Sequence, residues 1–175
     1  HLNEISAAGI YFWRDQSRDR PHNLFTGKAG IQQAFDDLKL DASLGSTAWA
    51  TGPELPRSER QNDHGAALIR TPDEGYCVGY QYLQATNVYQ RWLGGTLQRA
   101  KDGSALWAKA VVVQVVNGRV VDREGRLNLD TNSGGTAWLL LNGQVIAGRW
   151  ERVEGRTVFA EGQGASVVFP GGPVW

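Results

Sequence analysis

The run Arg14-Asp15-Gln16-Ser17-Arg18-Asp19-Arg20-Pro21-His22-Asn23 holds the best material for a site in this chain. Guanidinium forks at Arg14, Arg18 and Arg20 suit the planar oxygens of a carboxylate or phosphate. An imidazole such as that of His22 can serve as acid, base or ligand, and Asp15 could orient it or an arginine. The same residues also suit a purely structural role. Asp15 can pair with Arg18, while His22 and Asn23 can hold a turn ahead of a helix.

Elsewhere the chemistry is sparse. His1, His22 and His64 are the only histidines and none has a metal-ligand spacing, so no metal site is expected. The Asn62-Asp63-His64 stretch reads as a solvated loop. No Gly-x-Ser-x-Gly elbow, dinucleotide fingerprint or phosphate loop occurs, and Gly162-Gln163-Gly164 is a turn with no helix after it. No catalytic residue is therefore assigned and no cofactor is called for. Asp122, Glu124, Asp130, Glu151 and Glu154 flank strands, where carboxylates are usually solvated rather than paired for glycoside chemistry. Tyr76, Tyr80 and Tyr82 share a strand parity. With Tyr89, Trp92, Gln81, Gln90 and Arg91 they offer either an aromatic face for sugar rings or ordinary core packing.

The elements that position these groups follow from periodicity. Thr26 reads as an N-cap, and Ile31, Ala34, Phe35 and Leu38 recur at helical spacing, so a helix is expected over 27–40, weakened by Gly30. Residues 41–65 are rich in Gly, Pro, Ser and Asp and read as loop. From Ala66 onward strands dominate. The near-continuous apolar run Ala110–Val116 suits a central strand covered on both faces. Asn117-Gly118 and Asn142-Gly143 read as hairpin turns, the first leading into Arg119-Val120-Val121. Val153–Phe159 and Ser166–Phe169 complete the β region. The expected fold is α+β and β-rich, with antiparallel twisted sheets and one short N-terminal helix. Two parts are expected, 1–65 (loop, helix and irregular segment) and 66–175 (antiparallel module).

The 175 residues carry 18 basic and 18 acidic side chains, so no electrostatic footprint for nucleic acid is present. Seven tryptophans supply large core fillers whose indole N–H groups need partners. The single cysteine, Cys77, allows no internal disulfide and reads as a buried, inert thiol. His1 stands first and no signal peptide or membrane span is visible, so any lipid anchor lies outside this sequence.

Two sets of residues carry a family resemblance. Phe12-Trp13-Arg14-Asp15, then Arg18, then Pro21-His22-Asn23-Leu24, resembles the aromatic-Arg-Asp…Arg…Pro-His-Asn-Leu motif of the YerB-like family of bacterial lipoproteins, a domain family of unknown function. Asn87-Val88-Tyr89-Gln90-Arg91-Trp92, Val111-Val112-Val113-Gln114, Gly134-Gly135-Thr136-Ala137-Trp138, Asn142–Ile146, Gly148-Arg149-Trp150 and Pro170-Gly171 follow in the order of that family's C-terminal portion. Leu97-Gln98-Arg99 departs from it, standing where the family has a more polar turn, and 41–65 match nothing in it.

The resemblance implies an extracytoplasmic cell-envelope protein, secreted or lipid-anchored, with an α+β fold and no settled activity. Its expected role is binding, with Arg14, Asp15, Arg18, His22, Asn23, Tyr89 and Arg91 as ligand-binding residues. The expected partners are cell-wall glycan, another envelope protein, and the family's N-terminal portion, which precedes the motif. Two alternatives stand beside this. One is a hydrolase of an anionic envelope substrate using His22 and Asp15. The other is a structural subunit of a surface assembly.

Overall fold

The computed structural model describes residues 10–19, 23–39, 49–69, 77–123, 125–162 and 164–175, with the backbone alone for 64–69. Contacts divide the chain into two compact units, 1–47 and 48–175. Among the described residues the protein is mostly β with one α-helix, and its larger sheets are antiparallel.

In the first unit, β1 (Trp13–Arg14) pairs antiparallel with β2 (Leu24–Phe25), and α1 follows over Lys28–Asp37. Gly27, not Thr26, is the N-cap, and no side chain caps the helix. The Thr26 hydroxyl instead donates to the Tyr11 carbonyl at 2.8 Å. Gly30, a poor helix former, has a packing reason for its place. A Cβ there would lie 2.4 Å from the Tyr11 carbonyl oxygen, so only glycine lets the helix come this close. Ala34 and Tyr11 form the small core, with Phe12 against it. Ile31 and Leu38, expected on the buried stripe, are exposed. The helix closes at Leu38, and Lys39 takes a left-handed φ of 47°.

The second unit begins with β3 (Thr51–Gly52), a 3-10 turn at Arg57–Glu59, β4 (His64–Ile69), β5 (Val78–Leu83) and β6 (Val88–Leu93). Then come β7 (Thr96–Leu97), β8 (Trp107–Ala108), β9 (Ala110–Gln114), β10 (Gly118–Val120) and β11 (Leu127–Leu129). The last four are β12 (Gly135–Leu141), β13 (Gln144–Val153), β14 (Arg156–Glu161) and β15 (Phe169–Pro170). A five-stranded sheet has the order β4-β5-β6-β7, with β8 also on β6. A four-stranded sheet has the order β14-β13-β12-β9. β10 and β11 make a separate two-stranded ribbon, and β15 pairs with β3 in parallel.

Turn chemistry explains the hairpins. Asn142 and Gly143 both have positive φ, 52° and 83°, which gives the twist that a two-residue hairpin needs. The expected continuous strand Val153–Phe159 is broken by the same device at Glu154 and Gly155, with φ of 49° and 77°. Asn117-Gly118 is not a hairpin turn. β9 pairs with β12, and Gly118 pairs with Leu129 inside the ribbon.

Two cores lie on opposite faces of β9 and β12. Ala110, Ala137, Leu139, Leu141, Trp150, Phe159 and Phe169 form one. Val111 and Leu140 turn the other way, onto Tyr80, Tyr82, Tyr89 and Ala108 of the five-stranded sheet. β9 therefore is covered on both faces. Its free edge is taken by the C-terminal residues, where Val112 N–H donates to the Trp175 carbonyl and Trp175 N–H to the Ala110 carbonyl. Each large side chain fully buried here contributes about 1.5–3 kcal/mol. The Trp150 indole donates to the Val115 carbonyl at 2.8 Å, satisfying the polar handle of the largest core residue.

Candidate functional site

The described residues of the Arg-Asp loop bond to one another. Arg14 Nη1 donates to Asn23 Oδ1 at 2.7 Å, and Asn23 Nδ2 donates to the Arg18 carbonyl at 3.1 Å. The Asp15 amide donates to the Asn23 carbonyl at 2.8 Å. Asp15 Oδ1 accepts from the Ser17 amide and hydroxyl, and Arg18 Nε lies 3.4 Å from Oδ2. These Ser17 bonds, with the Arg18 charge behind them, hold the Asp15 carboxyl below the usual carboxylate range. The Arg18 guanidinium stacks 5.4 Å from the Phe25 ring centre. Asn23 is buried. Arg20, Pro21 and His22 lie outside the described residues, as does Tyr76.

Tyr89 and Arg91 belong to the second unit and point to the same side of β6. That side is the inner one. Tyr89, expected at a ligand surface, is fully buried, because alternate residues of β5 and β6 aim their rings at Val111 and Leu140. Its hydroxyl accepts from the Gly143 amide at 2.8 Å, and burial pushes its pKa up. Tyr82 donates to Asn87 Oδ1 at 2.8 Å, and Asn87 Nδ2 donates to Asn142 Oδ1 at 3.0 Å. These bonds tie the turn after β5 to the turn after β12. Beside them Glu54 pairs with Lys109 and with Arg60, and the Lys109 bond first of all holds its carboxyl below the usual range. Tyr80, Tyr82 and Tyr89 thus fasten two sheets together and offer no exposed platform.

Arg91 lies at the end of this core, its guanidinium carbon 4.8 Å from the Trp175 ring centre. Among the described residues Arg91 Nε is buried without a hydrogen-bond partner, and so is Oε1 of Gln98. The Gln98 backbone N–H donates to the Arg91 carbonyl, which brings the two residues side by side.

The outer side of β5 and β6 carries the residues of opposite parity. Gln81 faces Gln90, Gln90 faces Trp107, Gly79 faces Trp92, and Trp92 faces Leu97. Trp107 keeps 45% of its surface exposed. Sequence reasoning linked the glutamines to the tyrosine face. Parity within the strand of Tyr80 and Tyr82 places Gln81 on the other side, and the register of β6 adds Gln90 and Trp92 to it.

The ribbon joins the expected strand around Arg119–Val121 to a partner, β11, that the sequence reading does not contain. Val120 pairs with Leu127, and Leu129 pairs with Gly118, so the aliphatic side chains share one face. Val120, Leu127 and Leu129 are 63%, 60% and 47% exposed. At its base, Asn117, Arg119, Asn128, Leu129 and Asp130 line a shallow cavity of about 430 Å³. The signal was a Val-Val and a Leu-x-Leu separated by a charged turn.

Among the described residues no group of three His, Cys, Asp or Glu is placed to hold a metal ion. Cys77 is a free, half-buried thiol, less enclosed than expected. Asp122 pairs with Arg126, and Asp130 accepts from the Asn132 and Ser133 amides, so neither stands as half of a carboxylate pair. Among the described residues no helix is long and apolar enough to cross a membrane.

Comparison with known proteins places these features in a family. "Putative lipoprotein YerB" of Bacillus subtilis strain 168 is 26% identical over 181 residues, covering all of this chain and 53% of the relative. The crystal structure of YerB from Bacillus subtilis superposes with a TM-score of 0.78 at 22% identity, covering 99% of this chain and 58% of that one. That likeness establishes the shared fold. The chain spans about half the length of the curated relative it matches. Residues 68–175 match the family described as protein of unknown function DUF3048, C-terminal domain, and the chain belongs to that family.

Proposed function

We propose that this chain is a binding module of the cell envelope that docks onto another envelope protein through the β10–β11 ribbon. One observation carries the reading: the ribbon turns Val120, Leu127 and Leu129 to solvent along a single face. Two strands of three residues each form a marginal structure in water. A cluster of exposed aliphatics on such an element is the kind of patch that marks a protein interface. The cleft at its base includes Arg119 and Asp130, which supply hydrogen-bonding groups of the kind an interface rim carries. The relative's description as a lipoprotein supports the envelope setting.

The test places a photo-crosslinking side chain at Val120 and compares it with one at Val153, which is similarly exposed on β13. A discrete adduct with one envelope protein from position 120 alone, lost when Leu127→Asp is added, supports the reading. Equal labelling from both positions, or an adduct indifferent to Leu127→Asp, refutes it.

A further inference from the structure

The outer face of the five-stranded sheet has a composition that core packing does not require. Its described positions form three rows across β5 and β6. Gln81, Gln90 and Trp107 make one row, Gly79, Trp92 and Leu97 the next, and Leu83 with Val88 lies on the other side of the glutamines. Trp92 and Trp107 are therefore diagonal neighbours, which in a sheet stand about 7–8 Å apart. Gln90 lies between them, and Gly79, across from Trp92, adds no side chain. Among the described residues Trp107 makes no aromatic contact and no side-chain hydrogen bond, and 45% of its surface is exposed. Trp92 is half-buried, and its indole N–H is itself buried, with no partner among the described residues, so its ring and not its N–H is what this face can offer. The rows contain no charged residue. Arg99 stands at the rim in a bridge with Ala105, its Nη1 engaged by the Gly103 carbonyl.

These properties select a ligand chemistry. An anion or a cation meets no counter-charge in these rows. A purely apolar segment has no use for two glutamines and the exposed Trp107 indole. A sugar ring answers each feature. Its C–H face covers an indole, while its hydroxyls donate and accept as the Gln81 and Gln90 amides do. Two indoles one diagonal apart suit successive rings of a chain better than one isolated sugar. We infer that the outer face of this sheet, built by Trp92, Trp107, Gln81 and Gln90, binds a neutral saccharide chain. The inference is independent of the ribbon.

The test uses the full chain and two probes, a β-1,4-linked N-acetylglucosamine hexamer and an α-1,4-linked glucose heptamer. The seven tryptophans give separable indole N–H resonances in NMR spectra. Titration with one of the probes is expected to move the Trp92 and Trp107 signals and leave that of buried Trp150 in place. Trp107→Ala should weaken binding by about tenfold, the scale of one aromatic contact. Gln90→Ala should weaken it several-fold, and Trp138→Ala, on the four-stranded sheet, should leave it unchanged. Circular dichroism of each variant checks the fold, and Gln90→Ala decides the matter should Trp107→Ala fail to fold. The inference is overturned if neither probe shifts either indole. It is also overturned if folded Trp107→Ala and Gln90→Ala bind as the parent does, or if Trp138→Ala loses as much. Capture of a protein on this face with no saccharide response overturns it too.

Discussion

Replacing Asn87 by alanine is expected to be one of the most damaging single changes available outside the apolar core. Asn87 is fully buried and takes a left-handed φ of 52°. Its side chain accepts from the Tyr82 hydroxyl and donates to Asn142 Oδ1. Alanine removes the acceptor used by Tyr82 and the donor used by Asn142. Each loss costs about 1–3 kcal/mol when the partner stays buried. Alanine also bears a left-handed conformation that costs roughly 1–2 kcal/mol and that asparagine tolerates better. The expected destabilisation is about 3–5 kcal/mol, against a total of about 5–15 kcal/mol for an ordinary domain. Asn87→Gly loses the same hydrogen bonds without the backbone strain, so it should be milder by about 1 kcal/mol. Urea denaturation followed by tryptophan fluorescence measures both, and the thermal midpoint for Asn87→Ala should fall by roughly 10 °C. A loss below about 1 kcal/mol for alanine, or a glycine variant worse than the alanine one, would show that the turn network does not hold the sheets as described.

Tyr89→Phe deletes the acceptor of the Gly143 amide and should cost about 1–3 kcal/mol in urea unfolding, although no ring contact changes. Gly148→Ala would put a methyl 2.5 Å from the Ala160 carbonyl oxygen and 3.2 Å from Leu139 Cδ1, so a loss of about 1–3 kcal/mol or more is expected. Gly95→Ala meets no atom and should show only the cost of its positive φ, roughly 1–2 kcal/mol. Glu54 titrates below the usual carboxylate range in the folded protein, so its contribution is complete at neutral pH and is lost as acidity rises through its folded-state pKa. Glu54→Gln should therefore be less stable than the parent at pH 7, and thermal midpoints of the two should converge in acid.

What the amino-acid sequence reveals is governed by the range of the interaction concerned. Asn142-Gly143 makes its hairpin because the turn and both flanking strands are contiguous, and the left-handed preference of the two residues suffices. Asn117-Gly118 is the same dipeptide and makes no such turn, because β9 already has β12 on one side and the C-terminal residues on the other. No local pattern announces that competition. The pairing of Thr51 with Phe169 is equally remote and was invisible. Glu154-Gly155 escaped notice because glutamate seldom adopts the φ of 49° found there.

The site residues divide along the same line. Parity states that Tyr80 and Tyr82 face away from Gln81, and that Tyr89 and Arg91 face away from Gln90 and Trp92, while the register joins the two sets into one side each. Which side is covered depends on Val111 and Leu140, delivered by strands far along the chain. An aromatic face therefore has no meaning as a binding surface until the sheet that packs against it is identified. Once β9 and β12 occupy the tyrosine side, the indoles and amides of the opposite side become the informative residues, and the tyrosine hydroxyls become ties between hairpin turns. In the Arg-Asp loop the uncertainty is local instead. Arg14, Asp15, Arg18 and Asn23 have the capacity to bond to one another, and among the described residues they do. The Arg18 side chain stays 61% exposed, so this mutual bonding is compatible with a structural loop and with one that takes a guest, and both give the same sequence signal.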